Sequence, residues 1–332
     1  MSLSKRLINT GSAVEPAAPG YYGVRYSGTG STQDITGFGF QPDIVWVKGN
    51  IVTEPAMTNS ATGPNSFLRW NTTAGLTSNS SSAIPIADGV RITGNTETYN
   101  QIGVDYDLFA WKAGGPLVIN NTGTIQSQVS ANVANGVSLV IWSGNLTNGA
   151  TIAHGLNSAP ELVIVKSFTG DSNWLMGGAA MGNNAYMLFN SYGETINTGN
   201  TTRFQTFNDT TFSVGTSDDI NSNSKSYIAW CFHSVEGFSK IGNVNTGNVN
   251  GSVTGLSFAP KFFLGRSINC GFPNYMKNNY MGDYFYQLHT LTDSTRGPGL
   301  RLNADSFDYY LYFNNHLRCN NLLYATFGSD LM

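Results

Sequence analysis

Charged side chains are scarce in this chain of 332 residues. Asp, Glu, Lys and Arg together make up 11% of it, whereas about 25% is typical of soluble proteins. Long helices are built mainly from Ala, Leu, Glu, Lys and Arg, so this scarcity excludes a helix bundle or a coiled coil. The 12% of aromatic residues excludes a disordered chain, which is poor in them. These two observations together predict a folded, all-β protein with a neutral polar surface.

Other absences exclude further classes of protein. The net charge is −3 and the basic residues are scattered, so the basic stripe of a nucleic-acid-binding protein is missing. No apolar run reaches the 18 residues or more that span a bilayer, and no apolar segment follows the first charges as in a secretory signal. The three cysteines lack metal-ligand spacing, so we expect no metal, no cofactor and folding in a reducing cytoplasm.

What the chain does contain is glycine, 38 residues of it, and an internal repeat. In three segments a glycine precedes a proline by five positions, an apolar run follows, and a basic residue stands six positions after the proline. The three sets are Gly37, Pro42 and Lys48; Gly155, Pro160 and Lys166; Gly255, Pro260 and Arg266. Glycine there predicts a turn conformation that other residues resist, and proline predicts the first position of a strand. Because these runs are apolar at successive positions, we expect strands buried on both faces.

A second block recurs downstream of each first block. It reads Leu-Phe-Ala-Trp at 108–111, Tyr-Ile-Ala-Trp at 227–230 and Leu-Tyr-Ala-Thr at 323–326. Its alanine follows the proline of the first block by 65 to 69 positions each time. The second block is short and aromatic-rich, which predicts a partner strand, and Trp46, Trp111 and Trp230 are predicted to lie in β cores.

The two blocks predict three tandem, related β-sandwich-like modules with long loops. We assign an N-terminal arm to residues 1–21, module 1 to 22–114, a linker to 115–135, module 2 to 136–237 and module 3 to 238–332. Modules 2 and 3 follow one another directly, so we expect module 3 to pack on module 2.

Several of these segments resemble a repeat family found in tail-fibre and other virion proteins of marine tailed phages, cyanophages especially. The resemblance is carried by the segments at 26–30, 37–48, 109–115, 227–232 and 235–240, and it covers roughly residues 22–330. It implies a place on the virion and provides no catalytic residues. The third copy departs most from the pattern, because Gly265 interrupts its strand and Thr326 replaces the tryptophan.

Two groups of residues are candidates for contact with other molecules. The arm carries Leu3, Lys5, Arg6, Leu7 and Ile8 and either is a disordered terminus or orders on docking to the particle. Aromatic residues in Asn-, Ser- and Gly-rich segments are candidates for stacking on sugars; they are Trp70, Trp174, Tyr275 and Tyr280.

Signals for catalysis or metal binding are weak. Asp105 and Asp107 are two apart, hence on one face of an extended segment, but the pair is absent from the other copies. The run from Asp218 to Asn221 lacks a complete calcium loop. His154 is predicted to be a surface or turn histidine.

The sequence therefore predicts a non-enzymatic virion structural protein, most simply a tail fibre or appendage. It would be synthesised in the host cytoplasm, attach to tail, connector or capsid subunits, and assemble as a homo-oligomer, with a trimer favoured. A capsid decoration or head-fibre protein and a fibre that binds or cleaves host-surface glycans are the alternatives.

Overall fold

The computed structural model describes residues 20–51, 54–79, 81–191, 196–247, 249–268, 275–279, 281, 284–287, 295–296, 300–310 and 321–328. These residues form antiparallel sheets and one single-turn 3-10 helix, Val133–Asn135. The prediction of an all-β, sandwich-like fold is confirmed. In the described ranges no helix is long and apolar enough to cross a membrane.

The strands fall into three consecutive groups, which we call the first, second and third units. The first unit contains β1 (Tyr21–Ser27), β2 (Gln33–Thr36), β3 (Ile44–Gly49), β4 (Ala56–Asn59), β5 (Ser66–Arg69), β6 (Thr77–Ser78), β7 (Ala83–Ile86), β8 (Gly89–Ile92) and β9 (Asp105–Trp111). The second unit contains β10 (Val118–Asn120), β11 (Ser127–Asn132), β12 (Val137–Ser143), β13 (Ala150–Ala153), β14 (Leu162–Ser167), β15 (Leu175–Gly177), β16 (Met187–Leu188), β17 (Phe204–Phe207), β18 (Thr211–Val214) and β19 (Ser226–Phe232). The third unit contains β20 (Ser239–Asn245), β21 (Gly251–Thr254), β22 (Phe262–Ser267), β23 (Tyr275–Asn278), β24 (Tyr284–Gln287), β25 (Thr295–Arg296), β26 (Leu300–Leu302), β27 (Ser306–Tyr309) and β28 (Asn321–Phe327).

Each unit consists of a large sheet and a three-stranded small sheet. The large sheets have the orders β1-β9-β3-β4-β5-β6, β10-β11-β12-β19-β14-β15-β16 and β20-β28-β22-β23-β24-β25. The small sheets have the orders β2-β8-β7, β13-β18-β17 and β21-β27-β26. Among the described residues the three units share one strand order, except that the second unit adds β10 and β11 and shows no counterpart of β6 and β25. The triplicated sequence module stays a prediction, and this recurring order supports it.

The alternation of side chains along the central strands explains how the layers pack. In β3, Val45 and Val47 face the first small sheet, whereas Ile44 and Trp46 face a large apolar core shared by all three units. Since both faces are covered, every residue of β3, β14 and β22 is buried, as the apolar runs predict. Each small sheet thus closes a sandwich of its own, and the opposite faces of the large sheets meet in the shared core.

Three aromatic side chains show how the units meet. Trp111, Phe232 and Phe327 are the last residues of β9, β19 and β28, and they contact one another at the centre. Their ring centroids lie 6.2, 5.5 and 5.7 Å apart, so each unit contacts the other two. Module 3, which we expected to pack on module 2, packs equally on the first unit: the Phe262 and Trp111 rings lie 5.1 Å apart.

The structure differs from the sequence-based boundaries at two places. The segment predicted as a linker, 115–135, contains β10 and β11, which extend the second large sheet beyond β12. Tyr21, assigned to the arm, begins β1, pairs with Trp111 and is buried in the shared core. Residues 1–19 of the arm lie outside the described residues.

The glycines of the repeat motif adopt the predicted conformation, but its prolines do not lie at the predicted positions. Gly37, Gly155 and Gly255 have φ values of +92°, +73° and +70°, so the prediction of a turn conformation that favours glycine is confirmed. The prolines Pro42, Pro160 and Pro260, however, do not begin their strands. Each stands two positions before β3, β14 or β22.

Candidate binding surface

The aromatic candidates for glycan contact are buried. Trp70 and Trp174 have no exposed surface and lie in the shared core, where the Trp174 ring stacks on Trp230 with centroids 5.4 Å apart. The Trp174 indole Nε1 donates a hydrogen bond to the carbonyl oxygen of Arg69 at 3.0 Å, which joins the second unit to the first. Tyr275 is 5% exposed. None of these rings presents an open face to a sugar, and Tyr280 lies outside the described residues.

The tryptophans of the repeat motif, Trp46, Trp111 and Trp230, all lie in the shared core, as predicted. Trp46 and Trp111 lie 4.9 Å apart, and both contact Phe262 of the third unit. The positions of the tryptophans are not equivalent, however. Trp111 is paired with Ile44, the first residue of β3, whereas Trp230 is paired with Ile164, the third residue of β14.

The two neighbouring carboxylates do not form a site of the acid–base type. Asp107 is fully buried, and its carboxylate accepts hydrogen bonds from the Arg25 guanidinium at 3.2 and 2.8 Å and from Asn278 Nδ2 at 2.9 Å. Asp105 accepts a hydrogen bond from the Ser27 hydroxyl at 2.6 Å at the end of the strand. Asp107 therefore holds β1 and the third unit in place, because Arg25 is its cross-strand neighbour and Asn278 belongs to β23.

The carboxylates at 218 and 219 are engaged by cations of the chain. Asp218 forms an ion pair with Lys225, and Asp219 forms one with Arg203 at 2.7 Å. Asp219 also accepts a hydrogen bond from the backbone N–H of Asn173 at 3.0 Å. Nowhere in the described ranges do three or more His, Cys, Asp or Glu side chains group as a metal site.

Three basic residues of the repeat motif are buried, which the sequence reasoning missed. Lys48, Lys166 and Arg266 are at most 1% exposed. Lys166 Nζ donates hydrogen bonds to Thr73 O at 2.8 Å, Ser172 O at 3.0 Å and Ser172 Oγ at 3.2 Å, and burial lowers its pKa to about 8. Arg266 Nη1 donates to the carbonyl oxygen of Leu188. The sequence did contain a signal for this burial. Side chains alternate along a strand, so positions 44, 46 and 48 lie on the same, core-facing side of β3.

Two further reactive groups are also enclosed. His154, predicted at a turn or surface, is in the turn but fully buried. Its Nδ1 accepts from the Leu156 amide at 3.2 Å and its Nε2 donates to Asn208 O at 2.9 Å, so the ring is neutral, and burial lowers its pKa. Burial raises the pKa of the Cys231 thiol to about 12, so the reactive thiolate is disfavoured.

The exposed apolar side chains form two sets. Six large hydrophobic residues of the described ranges are exposed: Ile102, Val118, Ile119, Val133, Leu146 and Val249. Ile102, Leu146 and Val249 are single residues in loops, one in each unit. Val118, Ile119 and Val133 belong to β10 and to the 3-10 turn after β11.

We call Val118 and Ile119, with the groove beside them, the β10 edge. β10 forms one edge of the second large sheet, and Val118 and Ile119 are 66% and 60% exposed. A groove of about 260 Å³ runs alongside, lined by Gly114, Pro116, Val118, Ile119, Asn120, Val129, Ser130 and Ala131. Exposed aliphatic residues at an open sheet edge favour a contact with another polypeptide.

Comparison with known proteins identifies a family. A family model described as a domain of unknown function, DUF7483, matches residues 19–297, which is most of the 332-residue chain. The match includes all strands of the first two units and β20 to β25 of the third. No curated protein and no solved structure matches the chain significantly.

Proposed function

The chain belongs to the DUF7483 family, and we propose that it is a non-enzymatic structural protein of a tailed-phage virion. In this proposal it is made in the host cytoplasm and serves as a tail fibre or comparable appendage that binds other virion subunits. The resemblance of the segments at 37–48, 109–115 and 227–240 to phage virion repeats supports the setting.

One observation carries the structural role. Among the described residues, buried ionisable groups hold the scaffold together: Asp107 accepts hydrogen bonds from Arg25 and Asn278, and Lys166 donates to Thr73 and Ser172. The exposed aliphatic residues of the β10 edge are open to solvent instead. A scaffold with enclosed polar groups and an open apolar edge is suited to binding a neighbouring subunit.

The test is to locate the protein in purified particles. Quantitative mass spectrometry of gradient-purified virions should find the chain in a constant ratio to a tail protein, and immunogold labelling should mark the tail. A chain that is absent from washed virions but abundant in infected cells would contradict the proposal.

A capsid decoration protein is the second candidate, and the closed core favours it. Trp111, Phe232 and Phe327 bring all three units around one centre within a single chain. Such a chain needs no further copies to complete its core, which suits a subunit that binds singly. Gold label on the head rather than on the tail would select this candidate, and the sedimentation mass would test the trimer that the sequence favours.

A further inference from the structure

The hairpin of β10 and β11 is an addition to the strand order that the units otherwise share. At one edge of the first and third large sheets the outermost strands are β1 and β20, and β12 is their counterpart in the second. There β11 pairs with β12 and β10 pairs with β11, so that β10 becomes the edge. An element that extends one unit alone is free to serve a contact that the other units do not make.

The side chains of β10 indicate the kind of contact. Val118 is paired with Val129, whose side chain lies in the core of the second sandwich, and paired residues share a face. Ile119 is paired with Gln128, which is exposed, so Ile119 points to the opposite face. A partner lying on one face would cover only one of these two aliphatic residues. A strand added to the edge brings side chains to both faces and covers both.

The charge of this region limits the chemistry of the occupant. From Ala113 to Pro160 the chain contains no Asp, Glu, Lys or Arg. Open sheet edges are commonly protected by charged side chains, lysine above all. Here Pro116 and the short length of β10 protect the edge instead, and the strand and its neighbours along the chain carry no charged side chain. An uncharged segment fits it without leaving a charge unpaired.

The groove adds a pocket to the edge. It adjoins Val118 and is lined also by Gly114, Pro116, Val129 and Ala131. Strand addition obtains affinity from main-chain hydrogen bonds and specificity from pockets for alternate side chains. The three-residue edge is too small for a stable dimer interface, which buries about 1,200 Å² or more, but it is adequate for a single extended segment.

We infer that the β10 edge is a strand-addition site for an extended, uncharged segment of another virion subunit. The segment pairs with β10 through its backbone and places an aliphatic side chain in the groove. Only the identification of the partner as a virion subunit rests on the proposed function.

The test uses the full chain and a synthetic probe. The probe is a fluorescein-labelled, end-capped peptide of sequence Thr-Val-Thr-Val-Thr-Val-Thr, measured by fluorescence anisotropy and by hydrogen exchange of the protein. We expect saturable binding, slower exchange in the 117–121 region, and at least tenfold weaker binding by Ile119→Lys. Val249→Lys is the matched control, because Val249 is 63% exposed in the third unit. It should bind the probe like the wild type.

Four results would overturn the inference, three of them in the binding and exchange experiments. Those three are equal binding by Ile119→Lys and wild type, equal binding of a probe N-methylated on alternate residues, and no protection in the 117–121 region at millimolar probe. A dimer that Ile119→Lys converts to a monomer would identify a second copy as the occupant and would also overturn it. None of these results bears on whether virions contain the chain, so the proposed function is tested separately.

Discussion

Two of the three buried cations of the repeat motif cross a junction between units. Lys48 Nζ donates to Gly49 O at 2.6 Å and to Ile51 O at 2.9 Å. Lys166 reaches Thr73 of the first unit, and Arg266 reaches Leu188 of the second. Burying a charge is costly unless its donors are satisfied, and here each of the three cations donates to at least one backbone carbonyl oxygen. At positions 166 and 266, the motif residue near the end of the central strand therefore also links two units.

Lys166 should make stability depend on pH in a definite direction. Burial lowers its pKa from 10.5 to about 8 in the folded chain. Between these values the unfolded chain binds more protons, so the free energy of unfolding rises with pH. We expect wild type to gain about 1–3 kcal/mol relative to Lys166→Met from pH 7.5 to pH 10, measured by urea denaturation. Comparing the two proteins cancels the contribution of other titrating groups.

The exposed Lys240 of β20 provides the control. Lys240→Met should leave the pH dependence of wild type unchanged over the same range. If Lys166→Met kept the same pH dependence as wild type, the ammonium group would not be enclosed as the structure has it.

At the scale of elements, the glycine turns before the central strands allow a matched comparison. Gly155 and Gly255 have nearly the same φ, +73° and +70°. A Cβ at position 255 would meet nothing within 4 Å, whereas one at 155 would lie 2.9 Å from Val129 Cγ1 and 3.1 Å from Ala131 Cβ. Gly255→Ala therefore tests the backbone alone, and Gly155→Ala adds a collision with β11.

We expect Gly255→Ala to lower the free energy of unfolding by about 1–2 kcal/mol. Gly155→Ala should cost about 1 kcal/mol more, because β11 must shift. Chemical denaturation of both variants measures the difference. Gly255→Asn, which tolerates positive φ better, should recover part of the loss. If both alanine variants lost the same free energy of unfolding, β11 would be able to move aside at no cost.

The sequence predicts the elements better than their register. Ile44 to Val47 form a strand buried on both faces, as a continuous apolar run indicates. Matching the second blocks by their alanines, however, misaligns them. The structure places Trp111, Phe232 and Phe327 at equivalent ends of their strands. All units share one core, so a large ring in one unit can fill space that a smaller ring in another unit leaves. The size of an aromatic residue therefore does not identify equivalent positions in the three strands.

The β10 edge could not be predicted for a related reason. Leu117, Val118 and Ile119 form a short apolar island in a neutral polar segment, and such a segment is typical of a linker. Only pairing with β11 makes it part of a sheet. The buried state of Trp70 and Trp174 likewise depends on the shared core, which composition does not reveal.

At the scale of the whole molecule, the shared core makes the three units depend on one another. Backbone hydrogen bonds join neighbouring units as well: Leu76 donates to Phe168 O at 3.0 Å, and Ile196 donates to Ile268 O at 2.9 Å. The third unit returns to the first through Asn278 and Asp107. The second unit thus contacts both neighbours, and the contact between the third and first units closes the ring.

This closure predicts one cooperative unfolding transition although the chain is longer than most two-state domains. Phe232→Ala removes a ring that contacts Trp111 and Phe327, and Phe212→Ala removes one inside the second sandwich only. Each substitution should lower the free energy of unfolding by about 3–5 kcal/mol. In both variants we expect a single calorimetric transition, with equal calorimetric and van't Hoff enthalpies. A separate early transition in Phe212→Ala would instead show that the second unit unfolds alone and that the shared core does not couple the three.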